Sequence, residues 1–158
     1  MALYHNVIRL FLSKKGAQRF IMLDIDGVLN KLAPRPSLHF EKELVERLNS
    51  LVKATRAKVV LTSLRRLEFT LGTIEKALRN AGFQYPLYGK TLFYGNNHTR
   101  GFEIQKWLER YKVATSDIVI LDDRFDMGFL APRLVHVNPK IGLTPQNTQA
   151  AYRLLHKN

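Results

Sequence analysis

Three short apolar runs in this chain end in the same manner. RFIML (residues 19–23) runs into Asp24 and Asp26, KVVLT (58–62) closes on Thr62 and Ser63, and residues 117–121 run into Asp122 and Asp123. Runs this short and continuous, separated by segments with helical spacing, fit strands buried on both faces. Their alternation with helices predicts an α/β domain with a central, mostly parallel sheet. Ligands of open sheets of this class bind beyond the carboxyl ends of the strands, so the polar residues closing the three runs are expected to converge on one crevice.

The intervening segments support that architecture. Ser37 is read as the cap of a helix reaching about Arg56, with Leu38, Leu44, Val45, Leu48, Leu51 and Val52 as its apolar stripe. A second helix is expected from about Leu67 to Asn80, stopped by Gly82, and YPLYG (85–89) is read as a short strand. TRGFEIQKWLERY (99–111) places Phe102, Trp107, Leu108 and Tyr111 near one helical face, and LVHVN (134–138) is read as the last strand. Thr144 followed by Pro145 has the form of an N-cap with proline at the first helical position, opening a final helix.

The 158 residues suit one domain, large enough to bury roughly 70% of its unfolded surface. Residues 1–18 are expected to add an N-terminal helix. A presequence or a membrane-surface helix is the alternative for its first 15 residues, which are apolar and basic. Disulfides and thiolate metal sites are excluded by the lack of cysteine, and no apolar run approaches the roughly 20 residues that span a bilayer. A cytoplasmic protein is expected.

Charge is distributed unevenly. Lys and Arg number 25 against 13 Asp and Glu, a formal +12, which favours polyanionic partners. No acid precedes Asp24 and none follows Asp126, yet five of the six aspartates are Asp24, Asp26, Asp122, Asp123 and Asp126. Scarce aspartates gathered at strand ends of a basic chain point to a shared divalent cation. On an extended backbone Asp24 and Asp26 lie on the same side, and their repulsion needs a cation between them or a division of labour between nucleophile and acid.

LDIDGVLN, VVLTS and VILDD, in that order, resemble the first, second and fourth motifs of the haloacid dehalogenase-like (HAD) superfamily of phosphatases. DIDGVLN, TSLRR, TRGFEIQKWL and NPKIGLT are similar to the HAD domain of Swiss Army knife RNA repair proteins, and DDR (122–124) is similar to polynucleotide 3'-phosphatase domains. The resemblance covers most of the chain from Arg19 onward. It implies a Rossmannoid three-layer sandwich and, because Lys31 to Phe40 leave no room for a cap domain, an open, capless site suited to large substrates.

The same resemblance implies a mechanism. Asp24 is the expected nucleophile, forming an aspartyl-phosphate, and Asp26 the acid that protonates the leaving oxygen and then activates water. Mg²⁺ is the expected cofactor, held by Asp24, the backbone carbonyl of Asp26, and Asp122, with Asp123 joining directly or through water. Gly27 lets the chain turn sharply beyond the nucleophile. Thr62 and Ser63 are expected to donate to phosphoryl oxygens, and Arg65 and Arg66 to offer guanidinium forks, one of them facing solvent. Arg100 best matches the basic third motif, with Lys90 and Lys106 as substitutes.

Asp126 is read as a cap for the helix after the fourth motif. His98, Phe93, Tyr94 and Phe125 are candidate substrate contacts, with loop and core roles as their alternatives. The expected activity is Mg²⁺-dependent hydrolysis of a phosphate monoester at an RNA or DNA terminus. A nucleotidase, a protein phosphatase, and a basic HAD-like module that binds nucleic acid without turnover stand as alternatives.

Overall fold

In the computed structural model of the chain the described residues are 16–31 and 37–157. They form strands β1 Phe20–Leu23, β2 Lys58–Leu61, β3 Leu87–Lys90, β4 Ile118–Asp122 and β5 Leu134–His136. The helices are α1 Lys42–Thr55, α2 Leu71–Asn80, α3 Arg100–Tyr111 and α4 Pro145–His156. The expected N-terminal helix lies almost wholly outside the described residues. No helix among those described is long and apolar enough to cross a membrane.

All five strands are parallel, in the order β3-β2-β1-β4-β5. Alternation along the strands divides the core into two layers. Ile21, Leu23, Val59, Leu61, Val119 and Leu121 pack with α1, α2 and α4 through residues such as Leu48, Ile74 and Leu155. Phe20, Met22, Val60, Ile118 and Ile120 pack on the other face against Ile104, Trp107 and Leu108 of α3. The chain winds outward from β1 to β3, then returns to place β4 and β5 on the other side of β1. The order therefore reverses between β1 and β4, where a crevice opens at the carboxyl ends.

Local boundaries differ where tertiary ties override propensity. α1 begins at Lys42 rather than after Ser37, and its N-cap Glu41 makes no side-chain cap bond. Residues 38–40 are instead drawn to the turn after β1, with Leu38 and Phe40 packed on the core and the His39 carbonyl accepting from Asn30. The second helix likewise starts later, at Leu71, because Thr70 caps it, and Leu64–Leu67 form a separate 3-10 turn capped by Ser63. On α3 Trp107 and Leu108 are buried as expected, together with Ile104, but Tyr111 is exposed and lies over Trp107 at 4.8 Å. Thr144, Pro145 and Asn147 form the expected start of α4, as a full capping box.

Candidate active site

The ladder continues one residue past the strands, and this continuation positions the site. Asp24 N–H donates to the Leu121 carbonyl, Thr62 N–H to Leu23, and Thr91 N–H to Leu61, at 2.8–3.0 Å. Asp24, Thr62 and Asp122 are thereby held side by side at the ends of β1, β2 and β4. All three are buried.

Asp24, Asp122 and Asp123 each offer a carboxylate oxygen, and these three atoms lie within 4.8 Å of one another. Two oxygens bound to one Mg²⁺ are at most about 4.2 Å apart, so a small side-chain adjustment closes the set on an ion. Asp122 Oδ1 accepts from Arg124 N–H at 3.0 Å, whereas its buried Oδ2 has no hydrogen-bond donor. An acidic cluster with a buried oxygen that accepts no hydrogen bond fits a hard divalent cation. Burial, reinforced by Asp122, pushes the Asp24 carboxyl well above its ordinary range, with Arg100 pulling the other way. Burial likewise pushes Asp122 up to about 6, also against the pull of Arg100.

The electrostatic partners of Asp24 are thus Asp122, Arg100 and Asp123, all far from it in sequence. Asp26, its neighbour in sequence, lies outside the acidic cluster through its side chain. Its Oδ2 accepts from Arg65 Nε at 2.8 Å and its Oδ1 from Asn30 Nδ2 at 3.0 Å. Asn30 also accepts from Gly27 N–H, fixing the turn that Gly27 makes at φ 81°. Asn30 drew no attention in the sequence because it carries no chemistry of its own.

Arg100 is 2% exposed, the largest of the fully buried side chains among the described residues. It donates Nη1–H to the Thr62 carbonyl and stands with Nε 3.6 Å from Asp122 Oδ2. Gly101 allows this entry, because any Cβ there would strike the Met127 backbone. Lys90 is exposed on β3, and Lys106 pairs with Glu109 at 3.2 Å. Arg100 is therefore the basic residue brought to the acidic cluster. The Thr62 hydroxyl and Arg100 Nε are both buried without hydrogen-bond partners.

The two arginines after Ser63 part company, and neither faces solvent. Arg65 joins Asp26 and Glu68. Arg66 is buried against Glu103 and donates to the carbonyls of Thr62, Ser63 and Thr91. Its fork is consumed within the protein, binding the end of β2 to the loop after β3. Glu103, its counter-ion from α3, was not legible locally because 37 residues separate the pair.

Ser63 spends its hydroxyl oxygen as acceptor of Arg65 N–H. Asp126 caps a helix, but the preceding one: its Oδ2 accepts from Arg100 N–H at 3.0 Å and its carboxylate pairs with Arg124. His98 is exposed beside Phe102 and Tyr94.

A comparison with curated proteins returned no match. Residues 20–148 match a family described as the HAD domain in Swiss Army Knife RNA repair proteins, a span that includes all five strands and the site residues Asp24, Asp26, Thr62, Ser63, Arg65, Arg66, Arg100, Asp122 and Asp123. On that match and this fold, the chain belongs to the family of HAD domains found in Swiss Army Knife RNA repair proteins.

Proposed function

We propose that the chain is a Mg²⁺-dependent phosphomonoesterase acting on the phosphorylated end of a nucleic acid. One observation carries the reading: three buried polar atoms without a hydrogen bond, Thr62 Oγ1, Arg100 Nε and Asp122 Oδ2, the last two facing each other only as an ion pair at 3.6 Å, accompany the Asp24–Asp122–Asp123 cluster. Buried polar groups left unpaired cost about 1–3 kcal/mol each, which favours a polar ligand as their natural complement. A phosphate accepts from a hydroxyl and a guanidinium, and a divalent cation takes the carboxylates.

Asp24 is the nucleophile. Its carboxylate oxygen bonds to phosphorus as the bond from phosphorus to the leaving oxygen breaks, and that oxygen takes a proton from Asp26. Water then attacks phosphorus, gives its proton to Asp26, and frees Asp24 and inorganic phosphate. Thr62 and Arg100 donate to the phosphoryl oxygens, whose charge concentrates in the transition state. Mg²⁺ bound by Asp24, Asp122 and Asp123 supplies positive charge that offsets the clustered carboxylates and the incoming phosphate.

The nucleic-acid end is supported by the family's association with RNA repair and by the formal charge of +12. The short connection from β1 to α1, residues 24–41, also favours an open site. A phosphate-release panel tests the reading, using 3'- and 5'-phosphorylated oligonucleotides, the matching mononucleotides and phosphopeptides, with Mg²⁺ or with EDTA. Release from one oligonucleotide series, lost in EDTA and falling steeply with monovalent salt, is the expected result. Equal, salt-independent use of oligonucleotide and mononucleotide replaces it with a nucleotidase. Binding without release from any substrate replaces it with a non-catalytic module.

A further inference from the structure

We propose that Phe125, seated on His136, is the platform on which the nucleobase beside the scissile phosphate stacks. The proposal rests on the nucleic-acid-end reading above and adds a binding residue to that site.

Phe125 is 73% exposed, the most exposed large hydrophobic side chain among the described residues. Its ring lies flat on the His136 imidazole, with centroids 3.9 Å apart and planes 11° from parallel. His136 is itself fixed. It ends β5 in register with Asp122, and its Nε2 lies 2.9 Å from the Asp123 carbonyl. A carbonyl only accepts, so Nε2 carries the proton and the ring orientation follows.

The backbone around Phe125 is tied down on both sides. Arg124 N–H donates to Asp122 Oδ1 at 3.0 Å, and Met127 N–H donates to the Phe125 carbonyl at 2.7 Å. An exposed phenyl ring held this firmly forgoes burial and loses side-chain freedom, a combination that favours a ligand for its outer face.

Position names that ligand. Phe125 is two residues from Asp123, so their Cα atoms are at most about 7 Å apart. Its ring is tied to the same place through His136, which bonds the Asp123 carbonyl, so it stands beside the acidic cluster on the side we assign to the group carrying the phosphate. A flat apolar surface beside a phosphate site on a basic chain matches a nucleotide, which has a π-face next to an anion. Among the other exposed aromatic side chains, Tyr94 meets Phe102 edge-on at 5.5 Å and 89°, and the comparable stack of Tyr152 on His156, at 4.0 Å and 24°, lies on α4 rather than beside the acidic strand ends. Stacking tolerates any base, so the platform selects for the presence of a base rather than its identity.

The test measures binding by anisotropy, using the full chain carrying Asp24→Asn with Mg²⁺ present. The probes are single strands with a 3'- or a 5'-terminal phosphate, each with a normal or an abasic terminal nucleoside. At the preferred end, loss of the base should weaken binding about tenfold. Adding Phe125→Ala should weaken base-bearing probes by the same factor and leave abasic probes unchanged. Phe125→Leu should behave like alanine, because it keeps bulk without a π-face, and Phe125→Trp should keep the preference.

Equal binding of base-bearing and abasic ends, or a preference that survives Phe125→Ala, overturns the platform even if phosphate release is confirmed. A Phe125-dependent preference upholds the platform even if no release occurs, since binding is read without turnover. No binding of any phosphorylated end overturns both readings.

Discussion

Arg65 donates its Nε–H to Asp26 Oδ2 at 2.8 Å while its Nη1 reaches Glu68 at 3.0 Å, so the second acid of D-I-D is held by a residue from the turn after β2. Asn30 holds the other oxygen. Both contacts orient Asp26, and neither involves Asp24.

If Arg65 works by positioning a general acid, its effect must follow the leaving group. Esters of alcohols need a proton on the departing oxygen, whereas a p-nitrophenyl ester departs without one. Asp26→Ala should lower kcat/KM, which reports aspartyl-phosphate formation, by about 10²–10⁴ on an alkyl phosphate and by much less on the aryl ester, while kcat falls on both because Asp26 also activates the water. Arg65→Ala should show the same asymmetry on a smaller scale, and adding it to Asp26→Ala should cost little more. Additive losses, seen as a raised KM for every substrate alike, would instead make Arg65 a direct phosphate ligand. Raised Mg²⁺ should partly restore Asp122→Asn but not Asp26→Ala.

The buried carboxyls make metal-free stability depend on pH. Asp24 and Asp122 hold protons more tightly in the folded chain than at the ordinary carboxyl value of 3.8, Asp122 up to about 6. The folded state therefore binds more protons across that interval, and stability falls as pH rises through it. In EDTA the melting temperature should be higher at about pH 5 than at about pH 7.5 from this contribution, and Mg²⁺ should raise it more at the higher pH. Asp24→Asn should flatten the profile and leave metal-free stability at neutral pH equal or higher. Its activity should fall below about one hundredth of wild type. A steeper profile in this variant would show that Asp24 is not one of the strained carboxyls.

Gly27 combines a left-handed backbone with a neighbour it cannot spare. A Cβ there would sit 2.9 Å from Asp123 Oδ2 and from the Pro139 ring, at φ +81°. Gly27→Ala should cost about 1–3 kcal/mol and raise the Mg²⁺ concentration for half-maximal activity, because Asp123 must move. Gly82→Ala is the control: its φ is +103° but nothing lies within 4 Å of its Cβ. It should lower stability and leave the Mg²⁺ dependence alone. Equal Mg²⁺ dependence in the two variants would exclude Asp123 from the ion's surroundings.

The strand ends were legible in the sequence because a parallel strand covered on both faces must be continuously apolar. The change from apolar to polar at Asp24, Thr62 and Asp122, all three still buried, therefore marks where the apolar core ends and the floor of the crevice begins. Arg100 was legible only through resemblance, since its insertion beneath Thr62 depends on Gly101 packing against Met127. The separate fates of Arg65 and Arg66 were hidden. In a 3-10 turn adjacent side chains point about 120° apart, and which one meets Glu103 is decided by how α3 lies on the sheet. Asp126 misled for the same reason: the helix it caps lies 26 residues earlier.

The Arg66–Glu103 pair separates stability from chemistry. The side chains are 1% and 4% exposed, and Arg66 also spans the carbonyls of Thr62, Ser63 and Thr91. Arg66→Ala leaves a buried carboxylate without its counter-ion and should cost about 3–5 kcal/mol. Pairing Arg66→Met with Glu103→Leu removes both charges at similar volume and should recover the part of that loss due to the unpaired carboxylate, though not the part due to the carbonyls left without their donor, measured by urea unfolding. Activity should stay low in the double variant, because the carbonyls beside the phosphate site have lost the guanidinium that aligned them. Full recovery of activity together with stability would show that Thr62 and Ser63 are held well enough by the sheet alone.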